Sequence, residues 1–238
     1  HPEKSLSDFM SQEDMDTMLS FAYDPNIAPQ IYARFRGKLE QPNSYYCIDL
    51  IQTESALCNM LIHINLRTSA DRYDSLLLQN LYYYVEASLM PDASEELFKT
   101  TDINNDGYTD FLFDLGLDGR AGMHSVVFLY NPETASYHLL GDFINARYII
   151  EKQQIYEIIY NGMGGPYDIA NKYVIDGMNA ILLESIQFSF QEYDKHNYTY
   201  LKLIDGEMVT VLENVSHAEL NELIDLTEWS EYIPLPSK

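Results

Sequence analysis

Positive charge is scarce in this chain. Its 238 residues hold 14 Lys and Arg against 37 Asp and Glu, for a formal net charge of −23. Neutralising phosphates takes cationic side chains, so nucleic acid and anionic membrane surfaces are excluded as natural partners. Such a field suits a metal cation or a cationic protein, or serves solubility alone. No apolar run approaches the roughly 20 residues of a membrane helix. Cysteine is limited to Cys47 and Cys58, whose spacing matches neither a zinc motif nor a CxxC pair. A small disulfide loop and two buried thiols are both compatible with that spacing. The six histidines (His1, His63, His124, His138, His196 and His217) never pair at ligand spacing. There is no G-x-S-x-G, no H-E-x-x-H and no phosphate loop. Acids are so plentiful that no glycosidase pair can be picked out by sequence. The expectation is a protein that is not an enzyme and has no catalytic residues.

What the chain does have is apolar sequence with strand texture. Apolar residues make up 46%, enough for a core at this length. Residues 11–22 have helical spacing, with Met15, Met18, Leu19 and Ala22 on one face and acids near the N-terminus. Next comes the chain's one cationic cluster, Arg34, Arg36 and Lys38, which reads as a solvated face. From about residue 45 the pattern turns to strands. In "LLLQNLYYYVEA" (76–87), Tyr82 and Tyr84 share one face while Tyr83 and Val85 share the other. Hairpins are expected at Asn131-Pro132, at Gln153-Gln154, and at the Asp-Gly pairs of "KYVIDGMNAILLE" (172–184) and "LKLIDGEMVTVLE" (201–213). Ser216 and Glu219 form a capping box that opens a C-terminal helix over about 217–229, with Trp229 sealing its end against the sheet. The predicted fold is mainly β: an antiparallel β-meander, as a sandwich or partial propeller, with an N-terminal helical segment and a C-terminal helix. Residues 1–40 form the N-terminal helical segment, and residues 41–238 form the β domain.

One stretch concentrates chemistry. "DINNDGYTD" (102–110) carries side-chain oxygens at its first, third, fifth and ninth positions: Asp102, Asn104, Asp106 and Asp110. Gly107 permits a sharp turn, and Tyr108 offers a backbone carbonyl. Calcium needs six to eight hard oxygen ligands, and this spacing supplies several from one turn. A divalent cation would offset the repulsion of the clustered carboxylates. An EF-hand would need Glu at the twelfth position, where Phe113 stands in an apolar strand. The expected role of the metal is structural, since calcium is a poor generator of hydroxide compared with zinc.

The loop resembles the D-x-[DN]-x-D-G-x-x-D loop of integrin-type FG-GAP repeats. The order "DINNDGYTDFLFDLG…HSVVFLYNPETASYHLL", followed by "YNGMGGPYD" (160–168) and "YVIDGMNAILL", resembles small exported bacterial proteins with a single calcium loop of that type. The resemblance covers roughly residues 76–184, and Asn105 departs from the aromatic usual there. Some members resemble immunity proteins that block lysozyme-like, peptidoglycan-cleaving toxins. The resemblance implies a calcium-binding secreted or cell-envelope protein, periplasmic or a surface lipoprotein, that binds a cationic protein partner. The alternatives are a glycan-binding or adhesive surface module, because 20 tyrosines are available to stack on sugars, and, ranked below it, a glycan-active enzyme. The chain opens on His1-Pro2, which suggests a trimmed, exported form. A monomer without membrane insertion is expected. The glycine-rich stretch with Gly162, Met163, Gly164 and Gly165 is expected to project as the partner-binding loop, or to be a plain hairpin connection.

Overall fold

The computed structural model describes residues 30–39, 44–52, 60–69, 77–85, 97–118, 122–160, 169–192, 195–224 and 229. Within them the chain forms three antiparallel sheets, and every hydrogen-bonded pair joins strands adjacent in sequence. The first sheet contains β1 (Gln30–Lys38), β2 (Tyr45–Gln52), β3 (Met60–Arg67) and β4 (Leu77–Val85). The second contains β5 (Phe98–Thr101), β6 (Asp110–Asp118), β7 (Gly122–Asn131) and β8 (Ser136–Ile144). The third runs from β9 (Arg147–Ile149) through β10 (Gln154–Ile159), β11 (Ile169–Asp176), β12 (Asn179–Glu192) and β13 (Lys195–Ile204) to β14 (Glu207–Val215). The meander is thus as expected, repeated in three consecutive sheets.

The sheets are joined by shared cores. Ile48, Leu50, Ile62 and Ile64 of the first sheet pack with Phe111, Phe113, Val126 and Phe128 of the second. Leu112, Val127 and Leu129, on the opposite face of the second sheet, pack with Ile155 and Ile175 of the third. The second sheet is therefore a middle layer covered on both faces. That explains "HSVVFLY", a strand with no polar alternation, since residues 124–130 are all buried. Tyr156, Ile158, Phe188 and Tyr198 of the third sheet form a further core with Leu220 and Trp229.

The two Asp-Gly hairpins turn differently despite their similar sequences. In the first, Asp176 pairs with Asn179, so the turn is Gly177-Met178, with only Gly177 at positive φ. In the second, Ile204 pairs with Glu207, and Asp205 and Gly206 both have positive φ. These are the signatures of type II′ and type I′ turns. Both match the right-handed twist of the flanking strands.

Three expectations need correction or placement. Residues 30–38, assigned to an N-terminal segment ending at residue 40, form β1 and pair along β2. The helix expected over 11–22 lies outside the described residues. The C-terminal helix, α1 (His217–Leu223), opens on Ser216 with the capping box, but Ile224 is already extended at φ −126 and ψ 144. Ile224 packs on the third core, and a β-branched residue at that point favours leaving the helix. Trp229 is buried and meets the Tyr156 ring edge-on at 5.6 Å, as expected of a seal.

Candidate metal centre

The 102–110 loop closes the hairpin between β5 and β6. Thr101 pairs with Asp110 and Phe98 with Phe113, so eight residues bulge out between two fixed ends. The backbone winds around Asp102. Its Oδ1 accepts the Asp106 N–H at 3.1 Å and its Oδ2 accepts the Gly107 N–H at 2.8 Å. Asp106 Oδ1 accepts the Tyr108 N–H at 2.9 Å. Asn105 and Gly107 have φ of 56 and 88, a conformation that Asn and Gly tolerate at least cost. The short side chains that suit a cation loop are thus the same ones that fold the turn.

Asp110 fastens the loop to the middle sheet. It is fully buried, with Oδ2 accepting the Ile103 N–H at 2.8 Å and Oδ1 accepting the Tyr130 N–H of β7 at 2.9 Å. Burial raises its pKa to about 6, against the opposing pull of the Tyr130 and Ile103 N–H groups; the Asp106 charge raises it further. The loop is also held from the third sheet, where Gln153 Nε2 donates to the Asn104 carbonyl at 2.6 Å. Tyr137 Oη donates to the Thr109 carbonyl at 2.7 Å.

The oxygen set suits a hard divalent cation, with one feature in its favour and one against. Asn104 is buried, and its Nδ2 donates to Asp106 Oδ2 at 2.9 Å. Its Oδ1 is buried with no hydrogen-bond partner. An acceptor oxygen left bare inside an acidic turn is what a cation would satisfy. Against this, no three His, Cys, Asp or Glu side chains among the described residues gather closely enough to hold a metal ion. Asp110 is the reason on its side of the loop, because both its oxygens face backbone N–H groups. Each carboxylate oxygen has a second lone pair, so Asp102, Asp106 and Asp110 keep acceptor capacity beyond these bonds. Asp102, Asn104, Asp106, Asp110 and the Tyr108 carbonyl are the groups that would hold the ion.

The structure brings Asp102, Asn104, Asp106, Tyr108 and Asp110 into one turn, as contiguous sequence must. Gly162, Met163, Gly164 and Gly165 lie outside the described residues. Sequence reasoning missed Gln153 as an anchor, because its contact with the loop arises only from the approach of the third sheet. It also read Arg34, Arg36 and Lys38 as a solvated face. Strand pairing places His63 and Arg67 of β3 on the same side, around a cleft. A cationic cluster on an alternating strand in so acidic a chain was the available signal. Cys47 lies in that cleft as a free, half-buried thiol, and Cys58 is outside the described residues.

No family model matches this chain, and no curated protein matches it. A solved structure described as "Structure of a Xanthomonas Type IV Secretion System related protein" is similar over 78% of this chain and 99% of that one, at 15% identity and a TM-score of 0.48. A likeness that loose carries no argument about this chain, and the FG-GAP-type resemblance rests on the residues themselves.

Proposed function

We propose that this chain is a non-catalytic, calcium-stabilised binding protein of the cell envelope or secreted space, and that its partner is a cationic protein. The single observation supporting the calcium reading is Asn104 Oδ1, a buried acceptor without a donor in a turn that also carries Asp102, Asp106 and Asp110. An unsatisfied buried acceptor costs about 1–3 kcal/mol, which a bound cation would recover. Asp102, Asn104, Asp106, Asp110 and the Tyr108 carbonyl would bind it, and the ion would supply charge neutralisation for the turn that joins β5 to β6. The loop's own oxygens take up most of a calcium coordination sphere, so the ion serves the fold and not a bond-breaking step.

The partner reading rests on the net charge of −23 and on the resemblance to inhibitors of lysozyme-like enzymes. A strongly acidic protein steers a cationic partner toward it and selects against acidic ones. The partner class we favour is a peptidoglycan hydrolase. Of the 20 tyrosines on which the glycan-binding alternative draws, Tyr130, Tyr137, Tyr156, Tyr198 and Tyr200 are buried in the cores and cannot stack on sugars.

Calorimetric titration tests the metal: one calcium per chain, binding more tightly than magnesium, and loss of binding in Asp106→Ala. Absence of saturable calcium binding overturns it. A peptidoglycan-hydrolysis assay with a lysozyme-like enzyme tests the partner separately. Inhibition that is abolished by replacing residues 162–165 supports it, and undiminished hydrolysis at saturating protein overturns it.

A further inference from the structure

An unpaired strand edge offers a row of backbone N–H and C=O groups to any other strand, and proteins blunt such edges with charge, brevity or cover. Most edges of this chain are blunted. β1 carries Arg34, Arg36 and Lys38. β5 and β9 have only four and three residues. β4 meets β8 through Gln79, whose side chain accepts the Tyr137 N–H and donates to the Tyr137 carbonyl, both at 2.7 Å. β14 is the exception. It ends the six-stranded sheet, pairs with β13 on one side, and holds no Lys, Arg or Pro in its nine residues.

The ladder with β13 fixes which backbone groups are free. Ile204 and Glu207 flank the Asp205-Gly206 turn, and in a two-residue hairpin that pair exchanges both backbone bonds. Alternation makes Lys202 and Val209 the next such pair. Met208 and Thr210 therefore turn their N–H and C=O groups outward, away from β13. The register shifts beyond Thr210, which ends the regular ladder and keeps the free edge short.

The side chains along this edge are apolar and acidic. Ile204, Val209 and Val211 are three of the eight large apolar side chains left exposed among the described residues. Ile204, Glu207 and Val209 share one face of the hairpin, since Ile204 stands opposite Glu207 and Val209 lies two residues further along β14. Between residues 202 and 213 the hairpin carries three carboxylates, Asp205, Glu207 and Glu213, against one ammonium, Lys202. Its local charge thus has the sign of the whole chain's −23. A second copy would bring the same charge to the same edge, and two strongly acidic chains repel. A cationic strand meets the opposite field and is drawn to it.

We propose that the free edge of β14 binds a short, extended, cationic segment of a protein partner by strand addition. Met208 and Thr210 supply the backbone hydrogen bonds, and Ile204 and Val209 supply apolar contact. Glu207 and Glu213 select the charge of the incoming strand. The proposal rests on the reading of a cationic protein partner given above, and it names where on the chain that partner docks.

The test uses the full chain and three synthetic hexapeptides: alternating Lys-Val, the same peptide N-methylated at alternate backbone nitrogens, and alternating Glu-Val. The Lys-Val peptide should shift the amide resonances of Met208 and Thr210 saturably and slow their hydrogen exchange. The N-methylated peptide keeps the charge but loses backbone donors, and should bind about tenfold more weakly. The Glu-Val peptide should not bind. Thr210→Pro removes an outward N–H at a position where an edge strand tolerates proline, and should abolish binding. Glu207→Gln should weaken it by about fivefold, the loss of one exposed charge pair. The absence of a saturable shift at Met208 and Thr210 overturns the proposal. It is equally overturned if the N-methylated peptide binds as well as its parent, or if binding survives Thr210→Pro in a chain that remains folded by circular dichroism. Self-association of the wild type that Thr210→Pro abolishes would make the occupant a second copy, and overturns it too. Hydrolase inhibition that Thr210→Pro leaves intact overturns the edge site while the partner reading stands. Peptide binding at β14 without hydrolase inhibition supports the edge site and removes the hydrolase as the partner.

Discussion

Gln153 Nε2 donates to the carbonyl of Asn104 at 2.6 Å, and so joins the third sheet to the acidic loop of the second. Gln153 sits at φ 53 in the turn between β9 and β10, and its carbonyl accepts the Ile175 N–H at 2.7 Å. One residue therefore fixes the loop, the turn and β11 together. Gln153→Ala should cost about 1 kcal/mol by removing the loop contact. It should also weaken calcium binding, because the Asn104 segment loses its outer support. Paired chemical denaturation, with calcium and with chelator, measures both effects.

Asp110 differs from the other loop acids in being fully buried and bound to two backbone N–H groups. Asp110→Asn replaces an acceptor oxygen with an amide that cannot accept. One buried N–H, of Ile103 or Tyr130, is then left unpaired at a cost of about 1–3 kcal/mol. This loss should be the same in chelator, whereas the loss in Asp106→Ala should shrink there to the cost of its hydrogen bonds with Tyr108 and Asn104. Denaturation midpoints of the two variants with and without calcium separate the roles.

Arg34 and Asp49 set an acid limit on the first sheet. Burial alone would raise the Asp49 pKa, but the Arg34 hydrogen bond, with His63 beside it, outweighs that and holds it below the ordinary value. Arg34 is correspondingly raised, chiefly by the bond to Asp49. A carboxyl depressed on folding contributes stability that is present above its unfolded pKa of about 4 and is lost as pH falls through the folded value. Asp49→Asn should therefore cost about 2–3 kcal/mol at neutral pH, and less as pH falls below about 4. Stability of wild type minus variant, measured by urea denaturation across that window, checks the sign.

Glu157 ties the second and third sheets together. It is buried, and it accepts the Ile144 N–H at 2.9 Å, Asn171 Nδ2 at 2.9 Å and Tyr173 Oη at 2.8 Å. Burial first, and the Glu157 charge second, raise the Tyr173 pKa, so the phenol stays a donor at neutral pH. Glu157→Gln should cost about 1–3 kcal/mol, because its amide nitrogen faces groups that donate. The ultraviolet titration of one tyrosine should move to lower pH in the folded variant.

Local features were legible in the sequence. The hairpins at 131–136, 176–179 and 204–207 could be read because turn residues sit within the sequence they bend. Tyr82 and Tyr83 do face opposite ways, one onto His63 and the other onto Phe128 in the core. The acidic loop was legible because its oxygens are contiguous. The stacking of three sheets was not, because a strand buried on both faces loses its alternation and points to no particular neighbour. The two Asp-Gly segments concealed a register difference that only pairing reveals. Only the β1 side of the cationic cleft was legible. His63 and Arg67 are about thirty residues from Arg34 and Arg36 and meet them only through β2.

The most direct test of the calcium account is the melting temperature of the chain in excess chelator against millimolar calcium, alongside Asp106→Ala. A site that binds only the native state stabilises it by about 3–4 kcal/mol at a few hundred to a thousand times Kd. The account predicts a higher melting temperature in calcium for the wild type and no response in the variant. Equal melting of the wild type in chelator and in calcium would contradict it.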